Sequence, residues 1–151
     1  MARIRSRIPP VSIASQLKVL AKYYPDGKVI SYSHKTLTWI MDIIPTPNSS
    51  SYRIKVDYAT GANPKVFVIS PKVLAKVEGK TRLPHVYNQS KQQLCLFMPG
   101  FGEWEPHKFI AKTIIPWAAE WLTFYEIWLL TGVWQGEGFH PQVVDPKKKR
   151  L

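Results

Sequence analysis

Two alternating apolar runs limit the fold more than anything else in this chain. In residues 36–44, Thr-Leu-Thr-Trp-Ile-Met-Asp-Ile-Ile, the side chains of Leu37, Trp39, Met41 and Ile43 fall on one face. In residues 52–58, Tyr52, Ile54, Val56 and Tyr58 alternate with Arg53, Lys55 and Asp57. Successive strand residues point to opposite faces, so a period of two puts one face on a core and the other in water, the pattern of antiparallel sheet. Two shorter candidates flank them. Val29–Tyr32 is brief, and Lys65–Ser70 carries an unbroken Val66-Phe67-Val68-Ile69 run that predicts a buried strand. Between them lie a proline- and serine-rich loop, 45–51, and the turn Thr60-Gly61-Ala62-Asn63-Pro64. Four strands joined this closely form an antiparallel meander.

Helical signals bracket the strands. Ser12 is a suitable N-cap for a helix running to Tyr24, with Ile13, Leu17, Leu20 and Ala21 on its inner stripe. Tyr24-Pro25-Asp26-Gly27 predicts a turn in which proline sets φ and the glycine takes a positive φ. A connector, Pro71 to Thr81, follows the strands. Near the other end, a helical region is expected from about Glu105 to Leu130. Pro116 either interrupts it or opens its second part, and Gly132 stops it. Trp117, Trp121, Phe124, Tyr125 and Trp128 recur at steps of three and four, a face suited to covering the sheet. Helix, meander, then helices is an α+β layout and not a series of βαβ units.

At 151 residues the chain is long enough for one domain with a single core. We divide it into a basic arm (1–11), a folded domain (12–141) and a basic tail (142–151) ending Lys147-Lys-Lys-Arg150. The stretch 114–134 is apolar over a membrane-spanning length, but Glu120, Glu126 and Pro116 favour a core helix. No apolar segment follows the basic first residues, so a cytoplasmic location is expected. His34, His85, His107 and His140 lack metal-ligand spacing, and with one cysteine neither zinc nor an internal disulfide is expected. The formal charge of +11 attracts a polyanion or an acidic protein. Without a nucleic-acid-binding motif, that charge reads as solvated surface before it reads as a nucleic-acid site.

The chemistry gathers between Arg82 and Gly102. Cys95, the only cysteine, sits in the apolar run Leu94–Met98, ten residues after His85, with the polar turn-prone segment Asn88–Gln93 between them. A thiol in such a place is either a nucleophile or a small buried hydrophobe.

Taken in order, these parts resemble the ubiquitin-conjugating enzyme fold over about Ser12 to Leu130. Pro25-Asp26-Gly27 follows the first helix, Trp39 stands in the second strand, and Pro64-Lys65-Val66-Phe67 opens the fourth. His85 precedes Cys95 by ten residues, and Leu94-Cys95-Leu96 has the family's context. Where the family carries His-Pro-Asn, this chain has His85-Val86-Tyr87. The C-terminal part, 115–132 with Gly136-Glu-Gly-Phe-His-Pro141, looks like the bacterial ubiquitin-conjugating-like proteins encoded beside cyclic-oligonucleotide synthases in CBASS antiphage operons. With no Gly-rich phosphate loop, it matches the short type that lacks a fused activating enzyme.

The resemblance implies that Cys95 forms a thioester with the C-terminus of the operon's nucleotidyltransferase and passes it to a lysine amine, without a cofactor. It implies a loop-ordering role for His85. The Tyr87 hydroxyl or Asn88 amide would take over the family asparagine's place at the oxyanion. Lys91 and His140 are further candidates near the site, and Glu103 or Glu105 could receive the acceptor's proton. Two other readings stay open: a non-catalytic scaffold of the same shape, and a nucleic-acid binder acting through the positive charge.

Overall fold

The computed structural model describes residues 8–98, 100 and 102–136. Most of the basic arm and all of the basic tail, with His140, lie outside them. The elements run α1 (Ile13–Tyr23), β1 (Lys28–Tyr32), β2 (Thr36–Ile43), β3 (Tyr52–Ala59), β4 (Lys65–Ser70), β5 (Val86–Asn88), β6 (Gln93–Leu94), a 3-10 turn (Ile110–Lys112) and α2 (Ile114–Thr131). One antiparallel sheet has the order β1-β2-β3-β4-β6-β5. The meander is therefore longer than the four strands expected, because a short hairpin, β5–β6, adds to its β4 edge.

The two alternating runs behave as their period demands. Leu37, Trp39, Met41 and Ile43 are buried from β2, and Tyr52, Ile54, Val56 and Tyr58 from β3. Their register places Trp39 opposite Val56 and Met41 opposite Ile54. β4 departs from expectation. Val66 and Val68 are buried, but Ile69 is exposed and Phe67 lies under the Lys55 ammonium, 5.1 Å from the ring centre. Only one face of the sheet is covered, so even an unbroken apolar run is buried on one side alone.

Helix α1 is capped as predicted, Ser12 Oγ accepting from the Ser15 N–H. Its inner stripe differs: Ala21 is exposed and Gln16 is fully buried. The amide of Gln16 donates to Lys108 O and accepts from Ile110 N–H, both at 2.9 Å, so α1 grips the 3-10 turn through a satisfied polar pair. Gly27 also has a different reason from the expected one. Its φ is not positive; a methyl there would stand 2.6 Å from Trp39 Cε2 and closer still to Cζ2. The turn needs a glycine for close approach.

The expected helix from Glu105 begins later, at Ile114, after the 3-10 turn. Pro116 sits in its first turn, where its missing N–H would have had no helical partner. Gly132 ends it in the left-handed conformation, φ 76°, with its N–H on Trp128 O at 2.7 Å. Trp117, Trp121, Tyr125 and Trp128 are all buried. Among the described residues no helix is long and apolar enough to cross a membrane.

Candidate active site

Cys95 follows β6 directly and is neither fully buried nor fully exposed. Leu94 and Leu96, its neighbours, are both buried, and they hold the main chain down while the residue between them reaches outward. Its N–H donates to His85 O at 3.1 Å. The same carbonyl accepts the Trp121 indole N–H at 2.9 Å. His85 has φ 51°, an uncommon conformation for a residue with a side chain. Its ring packs on Trp134, centroids 5.0 Å apart, and Trp134 also meets Trp121 and Phe124. His85 thus acts on the thiol's position through its backbone, clamped from below by α2 and from the side by the chain that follows α2.

The hairpin turn is held by amides. Asn88 Oδ1 accepts the Lys91 N–H and the Ser90 hydroxyl, so its carbonyl end closes the turn. Lys91 is exposed there. Gln92, buried and itself at φ 54°, bonds Leu74 N–H at 2.6 Å, Val68 O at 2.9 Å and Pro71 O at 3.2 Å. The connector 71–81 is therefore pinned to the hairpin, with Leu74 in the core and Ala75 O holding the Tyr125 hydroxyl.

Around the sulfur stand Tyr87, Phe97 and Glu103. The Tyr87 hydroxyl donates to Phe97 O at 2.8 Å, and Cys95 Sγ lies 4.0 Å from that oxygen. Burial pushes the Cys95 thiol above its ordinary pKa; a hydrogen bond from Tyr87 pulls it down, and the Glu103 charge pushes it up. A phenol has one proton to donate. While Phe97 O holds it, little is left for the sulfur, and the two upward influences prevail. Glu103 is 3% exposed; its Oε1 accepts Met98 N–H at 2.7 Å, while Oε2 has no partner among the described residues. Glu105 lies beside His107, its Oε1 3.5 Å from the ring's Nδ1.

The structure brings Tyr87 and Glu103 to Cys95 by their side chains and His85 by its carbonyl. Asn88 and Lys91 belong to the turn. Trp121, Trp134 and Gln92 support the site without having been picked out for it. Trp121 looked only like cover for the sheet, Gln92 like a surface turn residue, and Trp134 carried no periodic signal beyond the helix stop. No group of three metal-ligating side chains occurs among the described residues.

Comparison with known proteins gives one family. A model described as E2-CBASS, Type II CBASS E2 protein, matches residues 16–141, which takes in the sheet, the hairpin with Cys95 and α2. No curated protein matches the chain significantly.

Proposed function

The chain belongs to the Type II CBASS E2 protein family, and from that premise we propose that it is a ubiquitin-conjugating-type acyltransferase whose nucleophile is Cys95. The donor is the C-terminal carboxyl of a partner protein, the CBASS cyclic-oligonucleotide synthase, presented as an activated acyl group. The Cys95 thiolate adds to that carbonyl carbon, the activating group leaves with the bonding electrons, and a thioester remains. A lysine amine then adds to the thioester, the C–S bond breaks, an amide forms, and the amine's proton departs as the thiolate is restored.

The observation that carries this reading is the way Cys95 is mounted. Its flanking leucines are in the core, its N–H is fixed to a carbonyl held by Trp121, and its side chain reaches outward beside a phenol. A structural cysteine needs none of this. Each addition places negative charge on oxygen, which a nearby donor stabilises. Tyr87 is the donor we assign, since its hydroxyl can leave Phe97 O for the oxyanion. Glu103, with an unmatched buried oxygen, is the acceptor we assign for the amine's proton.

The experiment is co-expression with the neighbouring synthase, followed by intact mass spectrometry without reductant. An adduct equal to the synthase joined through Cys95, cleaved by thiols and absent in Cys95→Ala, is expected. If no thiol-labile adduct forms under any condition, the enzymatic reading is wrong.

A raised thiol pKa favours a second reading, a scaffold that binds the same partner without chemistry. Native-state alkylation separates them, because a scaffold's cysteine would stay unmodified where a nucleophile reacts.

A further inference from the structure

The two edges of the sheet differ. β5 and β6 close one side next to the thiol, while β1 forms the other edge, and among the described residues no strand lies beyond it. All five residues of β1 are exposed. For two of them the register demands otherwise. Val29 is opposite Trp39 and Tyr32 opposite Leu37, so both lie on the face that carries the core. Trp39 and Leu37 are 3% and 2% exposed, whereas Val29 and Tyr32 are 41% and 67% exposed. The layer that covers the sheet stops short of this edge and leaves an apolar ledge. Ile30, the extra residue where the register shifts, extends it.

The main chain is open at the same place. Ser33 N–H donates to Thr36 O at 2.9 Å. Bonded and non-bonded pairs alternate along an antiparallel ladder, so the next pair, Tyr32 with Leu37, is non-bonded. The N–H and C=O of Tyr32 therefore face away from β2, where another chain can pair with them. Lys28 starts the strand on the opposite face, and Lys35 lies in the turn beyond its end. Both are exposed, and neither is ion-paired among the described residues. The Asp42 carboxylate near Lys28 is taken by Arg53 at 2.8 Å, and Asp26, on the turn before β1, offsets only one of the two lysines.

We propose that β1 binds an extended acidic segment of a partner protein by strand addition. Its apolar side chains rest on Val29 and Tyr32, and the carboxylates that alternate with them face Lys28 and Lys35. Main-chain bonds supply the affinity of such a contact and alternate side chains its specificity. A second copy of this chain matches the edge less well, because it brings its own Lys28 and Lys35 and a further charge of +11. The surface does not depend on the thioester reading. β1 stands four strands from β6, about 19–20 Å at the usual strand spacing, so both ends of the sheet can be occupied together.

The test titrates a fluorescein-labelled peptide, Thr-Glu-Val-Glu-Val-Glu-Val-Glu-Thr, with the full chain and follows anisotropy. It should bind about tenfold or more tightly than its analogue with lysine in place of glutamate. It should also outbind a peptide of the same composition with the glutamates grouped at one end. Tyr32→Pro removes an N–H that β2 does not use and should weaken binding about two- to tenfold, the worth of one main-chain hydrogen bond. Should that variant fail to fold, the paired exchange Lys28→Glu and Lys35→Glu decides. It should reverse the preference between the glutamate and lysine peptides while alkylation of Cys95 by iodoacetamide stays unchanged. Failure of the glutamate peptide to bind, equal binding of the alternating and grouped peptides, or a preference that survives the paired exchange overturns the proposal. So does a concentration-dependent dimer in sedimentation that Tyr32→Pro abolishes, since the edge then belongs to a second copy.

Discussion

Replacing Gln92 by methionine keeps the length of the side chain and removes its amide. In the native protein that amide supplies the acceptor for Leu74 N–H and donates to Val68 O and Pro71 O. Leu74 and Gln92 are both buried, so water does not take over the orphaned N–H. One unsatisfied buried donor costs about 1–3 kcal/mol, and two carbonyls that lose a partner add to it. Burying a thioether in place of an amide returns part of the sum, leaving about 2–4 kcal/mol of lost stability. At about 2–4 °C per kcal/mol for a chain of this size, Tm should fall by about 4–16 °C. The comparison that isolates burial is Gln89→Met. Gln89 also clamps a backbone, taking Leu83 N–H and giving to Leu83 O, both at 2.8 Å, but it is part-exposed. Water can replace those bonds, so its loss should be about 0.5–1.5 kcal/mol. Urea denaturation of both variants measures the difference. Equal losses, or a Gln92→Met loss below about 1 kcal/mol, would refute the claim that the hairpin is anchored through this amide.

Other expectations concern the thiol and the turn. An oxyanion donor is worth about 2.7–4 kcal/mol, and Tyr87 must first give up a bond worth about 1 kcal/mol. Tyr87→Phe should therefore slow acyl transfer by about 20- to 150-fold in single-turnover assays while Tm changes little. The Cys95 pKa is raised, so the thiolate, and with it alkylation by iodoacetamide, should reach half its maximum at a pH above that of an ordinary thiol. Because Glu103 contributes to that rise, Glu103→Gln should shift the alkylation profile to lower pH, whereas Tyr87→Phe should shift it little, since Phe97 O holds the phenol's proton. Gly27→Ala forces a methyl into the Trp39 ring and should cost about 1–3 kcal/mol in urea unfolding, with the tryptophan fluorescence altered.

What could be read from the sequence was what is local. The period of two in β2 and β3, the cap at Ser12 and the stop at Gly132 each depend on residues within one element, and each is found in place. The features that were missed depend on partners far along the chain. Gln16 and Gln92 look like surface residues because polarity alone does not disclose a partner 92 or 18 positions away. β5 and β6 have three and two residues, too few for a period, and exist because β4 offers an edge. The sequence pattern runs past the true start of α2 at Ile114, because apolar and aromatic residues resume at Phe109 and Ile110, before the helix does. In the site, the spacing of His85 and Cys95 stood out. The carboxylate of Glu103 did not, since only its burial beside the thiol distinguishes it from Glu105.

That same contrast yields a final prediction, on His85. Its carbonyl receives both Cys95 N–H and Trp121 Nε1–H, and its φ of 51° aims that carbonyl. If the backbone is what counts, the replacement's tolerance of positive φ should matter more than its chemistry. Asparagine enters the left-handed region readily, whereas a β-branched residue resists it. Both lose the imidazole's packing on Trp134. His85→Val should therefore be less stable than His85→Asn by about 1–3 kcal/mol, the strain of an unsuitable residue held at such an angle. It should also alkylate at Cys95 with altered kinetics, because relaxing the angle moves the carbonyl that fixes the sulfur's main chain. His85→Gly, free of strain, should be at least as well aimed as His85→Asn, though it loses more entropy on folding. Should valine and asparagine fall equally in stability and in thiol reactivity, the ring against Trp134 would be the support of the loop, and the carbonyl only a bystander.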